Sequence, residues 1–262
     1  MSMSARQNAR RWNSTLAALL LACLALAACT PVHAPLGSEQ PTQVASAAGS
    51  PGLQSSGVVL KDGKELPNLA VVKQRIVQYN ESGLWKKQLD QVSKRAQKAL
   101  DTAVPEPISP TKGGPALVLD IDDTALSTFA IQLQQEFGFV PEYWDQWVRE
   151  AIAPPNVGVL ALYRHAVERG VAVFFVTGRR ERLRDATERQ LRSAGYDQWR
   201  GLVLKPNGYA KPSVVPYKSA ARREIEKRGY RIVVNVGDQW SDLEGGLSEA
   251  TFKLPNPMYY IP

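Results

Sequence analysis

"VLDIDDTALS", Val118 to Ser127, is the stretch on which the fold turns. Apolar, β-branched residues run straight into three aspartates, Asp120, Asp122 and Asp123, followed by Thr124. A short apolar run of this kind reads as a buried strand, and the abrupt change to acid marks where it emerges into a loop. Carboxylates so close together raise one another's pKa unless a cation intervenes. The remaining sequence has to supply a reason for the crowding.

Three further apolar runs resemble the first: "VAVFFVT" (Val171–Thr177), "GLVLKP" (Gly201–Pro206) and "RIVVNVGD" (Arg231–Asp238). Helical periodicity fills the intervals at Val157–Arg169, Glu181–Ala194 and Pro216–Arg228, and a glycine closes each: Gly170, Gly195, Gly229. Apolar strands alternating with helices predict an α/β fold, a parallel sheet covered by helices on both faces. "TFKLP" (Thr251–Pro255) offers a last short strand. Upstream, Val72, Ile76 and Tyr79 share one helical face, and Trp85, Leu89, Val92, Ala96 and Leu100 share another; "ESG" at Glu81–Gly83 separates the two helices. The expected organisation is an N-terminal helical segment, 58–115, packed on a core, 116–262.

The first residues read differently. A basic start (Arg6, Arg10, Arg11) leads to an apolar run, Leu16–Ala28, shorter than the ~20 residues of a membrane span. This is the layout of a secretory signal over residues 1–28. "LAAC", Leu26–Cys29, resembles a bacterial lipobox, which implies cleavage before Cys29, lipid on its sulfur and, with Thr30 next, an outer-membrane destination. Residues 29–57, rich in Pro, Ser, Ala and Gln, read as a flexible tether. The chain has only two cysteines, Cys23 and Cys29; once the signal is gone and Cys29 acylated, neither a disulfide nor cysteine chemistry is open to the folded part.

The formal charge of +7 falls to about +4 without the signal, and the charges are spread and not clustered, so no nucleic-acid partner is expected. His33 and His165 are the only histidines, which disfavours phosphohistidine and histidine-rich dimetal chemistry, and no GxxxxGK[ST] loop is present.

In a parallel sheet, ligands bind at the carboxyl ends of the strands. Asp120 stands at the end of the first, Thr177 at the end of the second, and Asp238 at the end of "RIVVNVGD", with Asp242 four residues on; Lys218 opens the helix before that strand. Converging carboxylates suit Mg²⁺, a hard cation held by oxygen ligands and substrate phosphate. A carboxylate can also attack phosphorus and split one slow displacement into two easier ones.

"DIDDT", "VTGR", the isolated Lys218 and "GDQWSD" resemble the four motifs of the haloacid dehalogenase (HAD) superfamily. More narrowly, "YKSAARREIEKRGYRIVVNVGDQWSDLEG" and "FKLPNPMYYIP" resemble its subfamily IIIB acid phosphatases, over most of the chain from about Leu66. The resemblance implies a HAD-like Rossmannoid core and Mg²⁺-dependent hydrolysis of small phosphomonoesters through an aspartyl-phosphate. It implies Asp120 as nucleophile and metal ligand, and Asp122 as general acid and base whose backbone carbonyl also touches the metal. It implies Thr177 and Lys218 as holders of phosphoryl oxygens, and Asp238 as metal ligand. Asp242 either joins the metal site or caps the last helix. Asp123 and Thr124 are expected to shape the loop; Arg179 binds either substrate or that loop. The resemblance also implies that the segment after the first motif, 127–156, forms a small cap over the site; Trp144 and Trp147, in "PEYWDQWVRE", either stack a nucleobase or form the core of that cap. The competing reading is a non-catalytic storage or ligand-binding surface lipoprotein on the same fold, weakened because every motif residue is present.

Overall fold

Val118 and Leu119 end the central strand of a five-stranded sheet in the computed structural model of the protein. The structure describes residues 66–109 and 113–262; the signal segment, Cys29 and the tether lie outside them. Two helices come first, α1 (Leu69–Glu81) and α2 (Leu84–Ala103), broken as expected at Ser82 and Gly83. Strand β1 (Gly114–Leu119) leads into α3 (Phe129–Gln134), α4 (Pro141–Glu150) and α5 (Val157–Glu168). Then β2 (Ala172–Arg180), α6 (Arg184–Ser193), β3 (Gly201–Lys205), α7 (Val215–Lys227), β4 (Tyr230–Gly237), α8 (Trp240–Leu243) and β5 (Ala250–Lys253) complete the order. All pairings are parallel, in the order β3-β2-β1-β4-β5.

Period-two alternation divides the sheet's side chains between two cores. On one face Leu117, Leu119, Val173, Phe175 and Val236 meet Leu89, Ala96 and Leu100 of α2, Leu162 and Ala166 of α5, and Leu191 of α6. On the other, Ala116, Val118, Phe174, Val176 and Ile232 meet Ala221 and Ile225 of α7. A register shift lets Ala116 pair with Ile232 but Leu117 with Val234, which keeps β4 in step with both cores. Each large apolar side chain buried here is worth ~1.5–3 kcal/mol. The face of α2 predicted from periodicity is the buried one: Trp85, Leu89, Val92, Ala96 and Leu100. Gly170, at φ 77°, closes α5, and the Ile108 carbonyl occupies the space a Cβ would need.

Two boundaries differ from expectation. Strand β2 continues past Thr177 to Arg180, with a register irregularity against β3. The helix expected from Glu181 therefore opens as a 3-10 turn, Glu181–Leu183, before α6 proper.

Residues 127–156 form a self-contained insertion. Its two ends are pinned together by Ser127 N–H to Pro154 O (2.8 Å) and Asn156 N–H to Ala125 O (2.9 Å). Helix α4 then rests on α6 and the 3-10 turn before it, with Val148 packed beside Leu183 of the turn and Ala186 of α6. Among the described residues no helix is long and apolar enough to cross a membrane.

Candidate active site

The order of strands switches direction at β1: β2 and β3 lie to one side, β4 and β5 to the other. Loops leaving β1 and β4 part there and open a crevice at the carboxyl edge. Asp120 follows β1 and Asp238 follows β4, so both carboxylates enter this crevice. The Asp120 N–H donates to Val236 O (3.0 Å), which carries the sheet pairing into the loop and fixes where the aspartate begins.

Asp242, in α8, joins them. One oxygen from each of Asp120, Asp238 and Asp242 lies within 4.8 Å of the others, and all three residues are buried. A Cβ on Gly237 would run into the Asp242 carboxylate, so this approach requires glycine at the strand end. Lys218 lies between two of the acids: its Nζ donates to Asp120 Oδ1 (2.6 Å) and to Asp242 Oδ1. Asp242 Oδ2 also accepts from the Gln239 N–H (2.9 Å) in a capping box. The alternatives for Asp242 are therefore not exclusive: it braces the helix and belongs to the acid cluster.

Asp238 is held from three directions, by Thr124 Oγ1 (3.1 Å), Gln239 Nε2 (2.7 Å) and Asn256 Nδ2 (2.7 Å). Asp123 takes no part in the crevice. It is fully buried at φ 54° and accepts from Thr128 N–H (2.9 Å), Thr128 Oγ1 (2.5 Å) and Tyr259 Oη (2.8 Å). Asp123 and Thr124 thus shape and tie the loop.

Asp122 faces Arg179. Both carboxylate oxygens accept from its guanidinium, Nη2 to Oδ1 at 2.7 Å and Nε to Oδ2 at 3.0 Å. The remaining nitrogen, Nη1, donates to Gln190 Oε1 (2.8 Å), and Gln190 Nε2 donates on to Ala151 O (2.9 Å). The arginine is therefore fixed by α6, and Gln190 also grips the end of the cap segment. Thr177 is fully buried; its hydroxyl accepts from the Arg179 N–H (3.1 Å), and the crevice wall at this point is made by Gly178 and Arg179.

Burial and mutual repulsion distort the titration of these groups. Burial pushes Asp120 well above the usual carboxylate range; Lys218 opposes this, and Asp242, Asp238 and Asp122 add to it. Burial and Asp242 bring Asp238 up to about 6 against the pull of Asn256 and Gln239. Burial and Asp238 bring Asp123 to about 7. For Lys218 burial works toward the neutral amine, but Asp120 and Asp242 outweigh it and hold the ammonium charged. Among the described residues, Lys218 pairs with Asp120 and Asp242, Arg179 pairs with Asp122, and Asp238 has no ion-pair partner. A donor set of buried carboxylates with surplus negative charge fits a divalent cation, which would bring the raised carboxyl groups back down.

A cavity of about 580 Å³ opens over Asp120, Asp122, Lys218, Asp238 and Asp242. The cap contributes Phe137, Phe139 and Trp144 to its lining, and the loop after β3 contributes Tyr209 and Lys211. Trp147 does not line it. The two indoles touch, with ring centres 5.4 Å apart, but Trp147 packs into the cap and main cores, so it is a structural residue. A second hollow of about 300 Å³ lies at the amino ends of β2 and β3, around Ala172 and Trp199, away from these groups.

Comparison with known proteins agrees with this geometry. The profile of the HAD superfamily, subfamily IIIB (Acid phosphatase), matches residues 53–262. The chain belongs to that subfamily. Acid phosphatase 1 of Solanum lycopersicum is 40% identical over 148 residues, 55% of this chain and 58% of that protein. Vegetative storage protein 1 of Arabidopsis thaliana is 38% identical over 152 residues, 55% of each chain. The matches thus span little more than half the length of these relatives. The class C acid phosphatase from Bacillus anthracis, solved also with tungstate bound, superposes with a TM-score of 0.58 at 25% identity, over 72% of this chain and 86% of that one.

The structure brings together Asp120, Asp238, Asp242 and Lys218, which the sequence singled out, but three residues that brace this loop cluster were not singled out. Tyr259 and Asn256 return from the C-terminal segment to Asp123 and Asp238, and Gln239 braces Asp238. "FKLPNPMYYIP" stood out as family-like, which was the available signal; nothing local tells that a segment after the last strand folds back over the first loop.

Proposed function

We propose that the protein is a Mg²⁺-dependent acid phosphatase that hydrolyses phosphomonoesters, nucleotides among them, through a phosphorylated Asp120. The observation that carries this is the convergence of Asp120, Asp238 and Asp242 on one another and on Lys218, at the switch point of the sheet.

Asp120 provides an oxygen at the floor of the cavity to attack phosphorus, forming the acyl-phosphate bond as the ester oxygen leaves. Asp122, two residues on and also at the cavity wall, gives that oxygen a proton. It then takes a proton from the water that attacks the aspartyl-phosphate, which frees inorganic phosphate and restores Asp120. Lys218 keeps its charge beside Asp120, where it offsets negative charge on the phosphoryl oxygens. Arg179 orients Asp122 through both carboxylate oxygens. Thr177 lies behind the wall formed by Gly178 and Arg179, in reach of a phosphoryl oxygen only if its hydroxyl turns. Asp120, Asp238 and the Asp122 carbonyl, with Asp242 beside them, would hold Mg²⁺, which when bound neutralises phosphoryl charge and positions the ester. Trp144 offers a ring for stacking a base. Tungstate on the Bacillus anthracis relative supports the reading, since it is a tetrahedral oxyanion like phosphate.

In the same reading, residues 1–28 export the chain and Cys29 carries the lipid that holds it at the outer membrane. Fatty-acid labelling lost in Cys29→Ser is the expected result, and labelling that persists would overturn the anchor.

Release of inorganic phosphate from nucleotide and sugar monophosphates, with Mg²⁺ and with EDTA, tests the chemistry. Metal-dependent release that disappears in Asp120→Asn is expected. Folded, metal-loaded protein that releases none would favour a storage role, as the name of the Arabidopsis relative indicates for that protein.

A further inference from the structure

Two cations that line the cavity, Lys205 and Arg180, stand outside the ion pairs that hold Lys218 and Arg179. Lys205, the last residue of β3, lines it, and among the described residues no hydrogen bond or ion pair reaches its ammonium. Its register partner on β2 is Arg180, which lines the same cavity. The Arg180 guanidinium holds the next loop through its Nη1, which donates to Pro206 O (3.4 Å), Tyr209 O (3.5 Å) and Asn207 O (2.5 Å). Among the described residues no acid forms an ion pair with either: Asp145 pairs with Arg182, and Glu181 with Arg184. A half-buried lysine beside a like charge, with no carboxylate to answer it, is costly unless a ligand anion arrives.

We propose that Lys205 and Arg180 form a second anion subsite, selecting phosphomonoesters that carry another anionic group, a carboxylate or phosphate, remote from the scissile phosphate. The proposal rests on the phosphatase reading of Asp120. The spacing follows from the sheet: β3 is two strands from β1 and Lys205 lies two residues past the level of Asp120, so their backbones stand about 10 Å or more apart at the strand ends. That separation suits the far end of a five- or six-carbon chain and is too wide for the oxygens of one phosphoryl group. Burial, then Arg180 and Lys218, lowers the Lys205 pKa, a displacement that a bound anion would reverse. Lys218, in contrast, is answered by Asp120 and Asp242. Two lysines at one cavity edge thus have different occupants: one has its acids in the protein, and the other awaits them from the substrate.

Sorbitol 6-phosphate and 6-phosphogluconate test this. Each has one phosphoester on a linear six-carbon chain, and they differ at the far end as alcohol against carboxylate. The wild-type enzyme should prefer the carboxylated substrate by about tenfold in kcat/KM, the value of one charge-assisted hydrogen bond. Lys205→Met should bring the ratio close to one, through KM, and Lys205→Arg should retain most of the preference. The ratio is taken on one preparation, so loss of folded protein cancels. Turnover of both substrates at equal kcat/KM by the wild type, or a ratio unchanged in Lys205→Met, would overturn the subsite and leave the phosphatase reading standing. Turnover of neither, with no other phosphomonoester cleaved, would overturn the phosphatase reading and the subsite with it.

Discussion

The carboxyl edge of the sheet and the cap segment form two walls of one cavity, yet they are built on different terms. At the sheet edge each polar group is held by several others: Asp238 by Thr124, Gln239 and Asn256, and Lys218 by Asp120 and Asp242. In the cap, Trp144 and Phe139 face the opening with ring centres 6.1 Å apart, and Trp144 is held by apolar packing beside Val148, Leu183 and Ala186. Fixed geometry suits groups that must meet a reacting phosphorus within a fraction of an ångström. A less restrained aromatic wall suits recognition, where the leaving group varies. The comparison predicts that damage at the edge removes turnover, whereas damage in the cap changes which ester is turned over.

The largest effect should come at Asp120. Asp120→Asn removes the proposed nucleophile while keeping its shape, and phosphate release should fall by on the order of 10⁴-fold. Binding of tungstate, measured calorimetrically with Mg²⁺ present, should survive. Loss of binding together with turnover would mean the substitution disturbs the site as a whole and does not isolate the nucleophile.

Lys218→Met comes next. It leaves two buried carboxylates facing each other without their shared cation, so kcat should drop by about 10²–10³-fold. The metal-free protein should also lose ~3–5 kcal/mol of stability in urea unfolding. A stable variant with normal kcat would show that Lys218 neither organises the acids nor offsets charge in the reaction.

Arg179→Met tests whether Asp122 works from the position its pairing gives it. A drop in kcat of about 10–100-fold, with KM little changed and the alkaline limb of the pH–rate profile displaced, is the signature of a positioning residue. An unchanged pH profile would reduce Arg179 to a structural tie.

The same comparison shows what could be learned from the sequence. Alternation of apolar strands and helices was enough to give the sheet, its two covered faces and the edge on which Asp120, Asp238, Asp242 and Lys218 meet, because each strand states its own burial and direction. The bracing of those residues was not legible. Tyr259 reaches Asp123 across 136 positions, and Asn256 reaches Asp238 from beyond the last strand; no local period encodes either contact. The division of labour between Trp144 and Trp147 was equally hidden, since three residues apart on a helix places both on neighbouring faces. Both indoles pack beside Val148, Leu183 and Ala186, and only Trp147 also reaches the main core, which leaves Trp144 to line the cavity.

Protonation offers a finer test of how the edge is held. Asp123 sits at about 7 and Asp238 at about 6, both above the ordinary 3.8 of an aspartate, so the folded state binds protons that the unfolded chain has already released. Their stabilisation is complete below about pH 4 and fades as pH rises through 6 to 7. Without metal, the protein's melting temperature should therefore fall relative to Asp123→Asn between pH 5 and pH 8, by a few degrees. Parallel curves for the two proteins would show that Asp123 is ionised in the fold throughout. Adding Mg²⁺ should flatten the part of the slope that belongs to Asp238, because a cation near it favours the carboxylate.

The smallest effects, and the ones that separate the two walls most cleanly, lie in the cap. Trp147→Ala removes a ring packed into both the cap and the main core, and should cost ~3 kcal/mol or more in unfolding while kcat/KM of the remaining folded protein stays near normal. Trp144→Ala removes a ring that lines the cavity, and should cost less stability but raise KM about fivefold to tenfold for adenosine 5′-monophosphate, the value of one stacking contact. Glycerol phosphate, which has nothing to stack, should hardly notice the change. If Trp144→Ala slows both substrates equally, the ring serves only to support Trp147, and the cap is a packed lid with no part in choosing the ester.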